Sequence, residues 1–191
     1  AGVFDVKADV FAALAALGFD PAKAQITRDA PSWYHPGRSG TLRLGPKVVL
    51  AHFGEGHPGT LDTLGGEAPV SAFEIFLDAL PGEKKKSRAK APLAAADLLP
   101  VKRDFAFIVP RTVAAGDVIK AALNADKALI QSVNVFDVFE GGNLAAEGKK
   151  SIAIEAVIQP ATETLTDKDI ERIAQAIVTE VKKATGGEIR G

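Results

Sequence analysis

Three side chains of different chemistry fall close together in the second half of the sequence. Asp137 and Phe139 alternate along one predicted strand, and Ser151 begins the next. An exposed aromatic ring can stack on an unpaired nucleobase, a contact worth ~1 to 3 kcal/mol, while a carboxylate and a hydroxyl can hydrogen-bond its edge. This combination indicates RNA binding. A second interpretation stays open, because open sheet faces also carry Phe and Val where another domain or subunit covers them.

The other candidate groups lack the spacing of a site. His35, His52 and His57 have no partners at the spacing that zinc requires, which favours ordinary loop histidines. The glycines of GEGHPG (54–59) resemble a dinucleotide fingerprint but have no flanking strand and helix of the Rossmann type, so turn glycines are expected. No serine is singled out as a nucleophile, and we predict no catalytic residue and no metal ligand.

Composition excludes several classes of protein. The chain has 191 residues, of which 47% are hydrophobic, and 23 Lys and Arg against 24 Asp and Glu. This balance is typical of a globular protein and argues against disorder or nonspecific coating of nucleic acid. The absence of cysteine excludes disulfides, thiolate zinc sites and cysteine nucleophiles, and fits a reducing compartment.

The apolar runs and the first residues predict neither a membrane span nor a secretion signal. No apolar run reaches the roughly 20 residues that cross a bilayer, and the first residues lack the layout of a signal peptide. A cytoplasmic location is therefore expected. Because the sequence contains no methionine, we expect it to be either processed or cut from a longer protein, and we favour the second interpretation.

In the first half, apolar spacing predicts a helix over 5–18, with Asp5 as N-cap, Gly18 beyond the end and Leu17 on the buried stripe. Prolines and glycines between 31 and 40 are expected to break the chain. Strands are predicted at 41–44 and 48–53, joined by a Gly45–Pro46 turn, and at 68–77.

A basic stretch bounded by prolines separates the two halves. We predict a first module at 1–82, a linker at 83–100 rich in Lys, Pro and Ala, and a second domain at 101–191. The basic cluster is either a solvated tether or an added attraction for phosphate.

The apolar residues of the second half repeat with the clear periods of strands and helices. Strands are predicted at 103–109, 132–139, 151–158 and 188–190, and helices at 115–125 and from a Thr166–Asp169 capping box to Gly186. The order βαββαβ predicts an α+β, ferredoxin-like antiparallel sheet with both helices on one face.

Alternation along the strands assigns residues to the two faces of this sheet. Phe105, Phe107 and Val109 are expected under the helices, which leaves Ala106 on the open face. In the middle strand, the assignment depends on Phe136 and Val138 packing under the helices. The open face would then carry Val133, Val135, Asp137 and Phe139, together with Ser151, Ala153, Glu155 and Val157 of the next strand.

Five motifs in order carry a resemblance to a known family. They are KRDFAFIVP (102–110), VFDVFEG (135–141), EGKKSIAIE (147–155), TLTDKDI (164–170) and the terminal GGEIRG. Together they resemble the C-terminal anticodon-binding domain of the bacterial phenylalanine–tRNA ligase beta subunit. FDVKADV (4–10), HPGRSG (35–40) and GEGHPG (54–59) are similar to the end of that subunit's catalytic-like module, a degenerate class II synthetase fold.

The resemblance implies a holoenzyme of two alpha and two beta chains that attaches phenylalanine to tRNA(Phe). It implies that ATP and Mg²⁺ are used by the alpha subunit, that this fragment binds neither and carries no active site, and that its terminal domain grips the anticodon region. The family's base-contacting positions correspond to Ala106, Asp137, Phe139 and Ser151. Phe139 is often Tyr in the family, and Gly56 replaces an apolar residue.

On this hypothesis Asp137 accepts hydrogen bonds from a base edge, Ser151 donates or accepts, and Ala106 leaves room for the base. Arg103, Lys149 and Lys150 are candidate phosphate contacts. Two alternatives remain: a ferredoxin-like regulatory module that binds a small metabolite, and a pure assembly scaffold.

Overall fold

The computed structural model describes residues 2–82, 97–160 and 163–190. The chain forms two compact units, Ala1–Lys90 and Ala91–Gly191. The linker predicted at 83–100 lies outside the described residues up to position 96.

The first unit begins with helix α1 (Val3–Ala16), two residues earlier than the predicted 5–18. The reason is a capping interaction, because the Gly2 N–H donates to the Asp5 carboxylate at 2.7 Å. Asp5 is therefore the third helical residue, and its prediction as N-cap is wrong. Val6, Val10 and Leu14 are buried as predicted, whereas Leu17 lies beyond the helix and is half exposed.

Four antiparallel strands form one sheet in the order β1-β2-β3-β4. Their bounds are β1 (Gln25–Thr27), β2 (Tyr34–Leu44), β3 (Val48–Gly56) and β4 (Ser71–Ile75), and a short helix α2 (Pro58–Thr63) follows β3. The predicted turn after Leu44 is confirmed. Pro36 and Gly37 do not break the chain, because a shift of register between Tyr34 and Ser39 accommodates them within β2.

The core of this unit lies between α1 and one face of the sheet. The buried residues are Val6, Val10, Leu14, Phe19, Leu42, Leu50, Ala51 and Phe53. Gly54 and Gly56 belong to β3 rather than to a turn, which corrects the prediction for GEGHPG. A side chain at Gly56 would meet Leu61 of α2 at 3.2 Å, so Leu61 occupies the space beside it.

The second unit follows the predicted order with one added short helix. Its elements are β5 (Val101–Pro110), α3 (Ala115–Ala125), β6 (Ile130–Phe139), α4 (Gly142–Ala146), β7 (Lys149–Ile158), α5 (Asp167–Thr185) and β8 (Glu188–Ile189). The strands pair antiparallel in the order β6-β7-β5-β8. The predicted α+β class and ferredoxin-like arrangement are confirmed.

Helices α3 and α5 cover one face of this sheet. Val118 and Ala122 of α3 and Ile173, Ile177 and Val181 of α5 are fully buried. They share a core with the inward residues Phe105, Phe107, Val109, Ile152, Ile154, Ala156 and Ile158, as alternation predicts.

Both ends of α5 carry the predicted caps. The Thr166 N–H donates to the Asp169 carboxylate at 3.0 Å, and the Asp169 N–H donates to Thr166 Oγ1 at 3.3 Å. The Thr166 hydroxyl also donates to the Asp169 carboxylate, and this hydrogen bond, together with that from the Thr166 N–H, lowers the pKa of Asp169. At the other end, Gly186 takes the left-handed conformation (φ 69°) that glycine adopts without steric cost, and its N–H donates to the Lys182 carbonyl at 2.9 Å.

Candidate nucleic-acid interface

The four predicted base-contacting residues lie in two adjacent rows across the sheet. In one row Asp137 of β6 pairs with Ala153 of β7, which pairs with Ala106 of β5. In the next row Phe139 pairs with Ser151. Ile152 and Ile154 are buried under the helices, so alternation places Ser151 and Ala153, with their partners, on the open face.

A β-bulge in β6 determines which of its residues reach this face. Val133 pairs with Ala156 and Val135 with Ile154, so both lie on the helix side. Their prediction as open-face residues is wrong. The register then shifts by one residue, and Asp137 pairs with Ala153 on the other side. Without that extra residue, strict alternation would carry Asp137 to the helix side.

Phe136 and Val138 do not pack under the helices. Phe136 is 59% exposed and Val138 is 45% exposed, and neither belongs to the core. Their assumed burial is therefore wrong, although the outward placement inferred from it for Asp137 and Phe139 agrees with the register. The apolar residues that anchor β6 are Val133 and Val135 instead.

Exposure differs among the four residues. Asp137 is exposed, Phe139 is 49% exposed and Ala106 is half-buried. Ser151 is only 5% exposed, so its predicted exposure is wrong although its pairing places it on the open side. Ser151 is less exposed than its cross-strand neighbours Phe139 and Ile108, so it lies at the floor of the face.

Carboxylates dominate the middle of the open face. Beside the Asp137 row, Asn134 pairs with Glu155 and Glu155 with Asp104. Lys102 partly balances this charge, with its Nζ 3.1 Å from a Glu155 carboxylate oxygen. Carboxylates only accept hydrogen bonds, so this surface suits the amino and imino groups of bases and disfavours phosphates. Contacts with phosphates are therefore expected at its rim.

The three predicted phosphate contacts are not on one face. Lys149 pairs with Pro110 on the open side and lies 2.8 Å from Glu147, a hydrogen bond that raises the pKa of Lys149. Arg103 pairs with Ala156, which places it on the helix side.

Lys150 pairs with Val109 on the helix side, and its side chain is only 13% exposed.

Sequence reasoning missed Arg111, which follows β5. Its backbone N–H donates to the Gly148 carbonyl at 2.9 Å, which places Arg111 beside Lys149. Its position directly after the strand-ending Pro110 is the signal that would have placed it here.

The histidines have structural partners. Nδ1 of His35 accepts from the Gly37 N–H at 3.0 Å, and Nδ1 of His57 accepts from the Gly59 N–H at 3.1 Å. Each ring thus accepts a hydrogen bond from the glycine two residues on, within β2 for His35 and at the N-terminus of α2 for His57. Within the described residues, no three His, Asp or Glu side chains are grouped so as to hold a metal ion.

A polar row crosses the sheet of the first unit on the side away from α1. His52 Nδ1 lies 2.9 Å from Thr41 Oγ1, and His52 pairs with Glu74 of β4. Burial lowers the pKa of His52. Burial and the Glu74 carboxylate raise the pKa of Tyr34 to about 12. An open depression of about 730 Å³ adjoins His52, with Val49 and Phe76 in its wall.

None of the helices in the described ranges is long and apolar enough to cross a bilayer.

Two family models match this chain, one of them over the domain with the open-faced sheet. Residues 98–190 match the family model described as the ferredoxin-fold anticodon binding domain. Residues 1–77 match the model described as the phenylalanyl tRNA synthetase beta chain CLM domain.

The similar proteins that align with nearly the whole chain share one name. A phenylalanine–tRNA ligase beta subunit of Mesorhizobium japonicum is 53% identical over 191 residues, which is 100% of this chain and 24% of the relative. That of Paramagnetospirillum magneticum is 54% identical over 98% of the chain and 23% of the relative. That of Bartonella henselae is 50% identical over the same shares.

The antiparallel sheet with one open face and the matched model define the second unit as a ferredoxin-fold anticodon-binding domain. The whole-chain similarity is more specific. The chain belongs to the family of phenylalanine–tRNA ligase beta subunits. It spans about a quarter of the length of the curated relatives it matches.

Proposed function

We propose that this chain is the non-catalytic, tRNA-binding portion of a phenylalanine–tRNA ligase beta subunit and recognises the anticodon region of tRNA(Phe). The observation that carries the proposal is the adjacent outward placement of Asp137 and Phe139 on the open face of the anticodon-binding domain. In the cytoplasmic holoenzyme, two such subunits would join two alpha subunits, which use ATP and Mg²⁺ to attach phenylalanine.

Each residue of the face has a distinct role in this proposal. The Phe139 ring stacks on an unpaired base, a contact that tolerates any base because every base has an aromatic face. The Asp137 carboxylate accepts hydrogen bonds from one base edge and so provides discrimination. Ala106 in the same row leaves space for the base, and the Ser151 hydroxyl contributes a polar group at the floor.

Phosphate contacts belong at the rim in this proposal. Lys149 is the candidate on the open side, at the end of the sheet nearest Phe139 and Ser151. Its charge is already paired with Glu147, so phosphate binding requires an exchange of partners. Such an exchange costs little free energy, because an exposed ion pair contributes only ~0 to 1 kcal/mol to stability.

Fluorescence titration of the chain with the anticodon stem-loop of tRNA(Phe), and with a stem-loop of altered anticodon, tests the proposal. We expect tighter binding of the first, and loss of that preference in Asp137→Ala. Glu171→Ala removes the same charge from the exposed surface of α5 and is the matched control. Equal affinities of the wild-type chain for both stem-loops would contradict anticodon recognition and favour an assembly scaffold.

A further inference from the structure

The far edge of the Phe139 ring occupies the space beside Gly141 where a side chain would begin. A methyl group at Gly141 would lie 2.9 Å from Cζ and 3.1 Å from Cε2 of that ring. Carbon atoms attract best at ~3.5 to 4.0 Å, so these distances are too short for two carbons. The ring can occupy this position only because residue 141 has no side chain.

The backbone at Gly141 does not itself require glycine. Its φ of −101° and ψ of 178° are extended values that any residue adopts. The contact with Phe139 is therefore the steric constraint observed at this position. Gly142, the next residue, differs because its φ of 60° lies in the left-handed region.

The ring is the part that would yield to a side chain at position 141. Phe139 ends strand β6 and is 49% exposed, so its ring can rotate into solvent. The backbone of β6 is held by pairing with β7 up to Phe139 itself. A substitution at Gly141 would thus change the orientation of the ring more than the fold.

We propose that Gly141 is a positioning residue for nucleobase binding, because it holds the Phe139 ring in the orientation that stacks on an unpaired base. This inference rests on the proposed function of the open face. A ring already fixed against Gly141 loses little side-chain entropy when a base stacks on it. A ring displaced into solvent would lose that advantage and its alignment.

The contact can be measured without RNA. The ring current of Phe139 should displace the NMR shifts of the Gly141 α-protons, and Phe139→Leu should remove the displacement. Unchanged Gly141 shifts in Phe139→Leu would overturn the inference whatever the RNA results. This measurement is therefore independent of the proposed function.

A double-mutant cycle measures the consequence for binding of the tRNA(Phe) anticodon stem-loop. We expect Gly141→Ala to weaken binding about tenfold in the wild-type background, within the range for loss of one stacked base. In the Phe139→Leu background the same change should have less than about a twofold effect. Equal effects in both backgrounds would overturn the inference, since Gly141 would then act independently of the ring.

Two further variants control for stability. Gly116→Ala adds a methyl group in α3, where nothing lies within 4 Å, and should bind as the wild type does. Gly141→Ser places the same Cβ against the far edge of the ring but offers a better N-cap to α4, and should weaken binding as Gly141→Ala does. If Gly141→Ser binds normally, the inference fails.

Failure of the proposed function would give different results from failure of the positioning inference. In that case the wild-type chain and Phe139→Leu would bind the stem-loop equally, or neither would bind it. The positioning inference fails separately when Phe139→Leu weakens binding and both Gly141 variants do not.

Discussion

Phe139 and Ser151 lie directly opposite each other in the β6–β7 ladder, where Phe139 is 49% exposed and Ser151 only 5% exposed. Directly opposite side chains in an antiparallel pair have Cβ atoms about 4.5 to 5.5 Å apart. The exposed Phe139 ring thus stands beside the smaller and more buried Ser151 hydroxyl. One row away, Asp137 and Ala106 flank Ala153, so a carboxylate and a small residue lie on either side of a central strand.

Phe139→Leu should weaken binding of cognate and altered stem-loops to a similar extent, by ~1 to 3 kcal/mol. Stacking is lost, and stacking is insensitive to the identity of the base. Titration of both RNAs measures the effect. Phe136→Leu is the matched control, since it alters the 59% exposed phenylalanine at the bulge of the same strand and should bind normally. Equal losses in the two variants would assign the effect to the strand rather than to Phe139.

Asp137→Ala should act differently from Phe139→Leu. We expect the cognate stem-loop to bind ~1 to 3 kcal/mol less tightly, and a stem-loop with an altered anticodon to bind almost unchanged. The reason is that a carboxylate reads the donors on a base edge. The ratio of the two dissociation constants, measured at one fixed salt concentration, reports the effect. Equal losses for both RNAs would refute this role for Asp137.

Salt dependence should identify the rim contact. Replacing Lys149 by Ala should reduce the slope of log affinity against log salt by about 0.7, the value for one phosphate on a single strand. Arg103→Ala should leave the slope unchanged, because Arg103 pairs with Ala156 and lies on the helix side. Titrations over a range of salt concentrations measure both slopes. A reduced slope in Arg103→Ala alone would show that RNA follows the other side of the sheet.

His52 should make the first unit less stable in mild acid. Burial lowers its pKa from the ordinary 6.5, an effect opposed by the charges of Glu74 and Asp29 and assisted by that of Arg43. The unfolded chain therefore binds more protons than the folded chain as pH falls below 6.5. The contribution of His52 to the free energy of unfolding should decrease as pH falls through this window and should level off below the folded pKa of His52.

Urea unfolding at about pH 7.5 and about pH 5.5 measures that decrease. His52→Gln should remove much of it, whereas His35→Gln retains His52 and should keep it. The same pH dependence in wild type and His52→Gln would show that another group is responsible.

Loss of the α5 capping box should destabilise the second unit. Thr166→Ala removes the acceptor for the Asp169 N–H and should lower the free energy of unfolding by about 1 kcal/mol. Thr179→Ala, within α5, removes only a bond to the Gln175 carbonyl and should cost less, because Ala favours helices. Chemical denaturation followed by circular dichroism compares the two, and equal stabilities of both variants would contradict the capping argument.

The sequence predicted the elements whose period is unbroken. Residues of α3 and α5 repeat at helical spacing, and β5 and β7 alternate cleanly, so their bounds and faces were close to those observed. Strand β6 has no such regularity, because the bulge reverses its alternation between Val135 and Asp137. Hydrophobic pattern alone cannot locate an extra residue, so it predicts the wrong face for Val133 and Val135.

Side-chain contacts and cross-strand pairing account for the other differences between the predicted and the observed structure. The start of α1 depends on the reach of the Asp5 side chain back to Gly2, and β2 runs through Pro36 because its pairing with β3 shifts there. Ser151 has low exposure on a face that alternation predicts to be open. Each of these results from a partner that is distant in sequence or from side-chain geometry, neither of which a periodic pattern encodes.

The long backbone ladder between β6 and β7 has a thermodynamic consequence. Asp137, Phe139 and Ser151 are attached to strands already paired with each other, so the protein needs little ordering to receive a ligand. The conformational entropy lost in complex formation would then come mostly from the RNA, whose loop bases must leave their own stack. RNA loops that are splayed open before they meet the protein should associate faster than stacked ones of the same sequence.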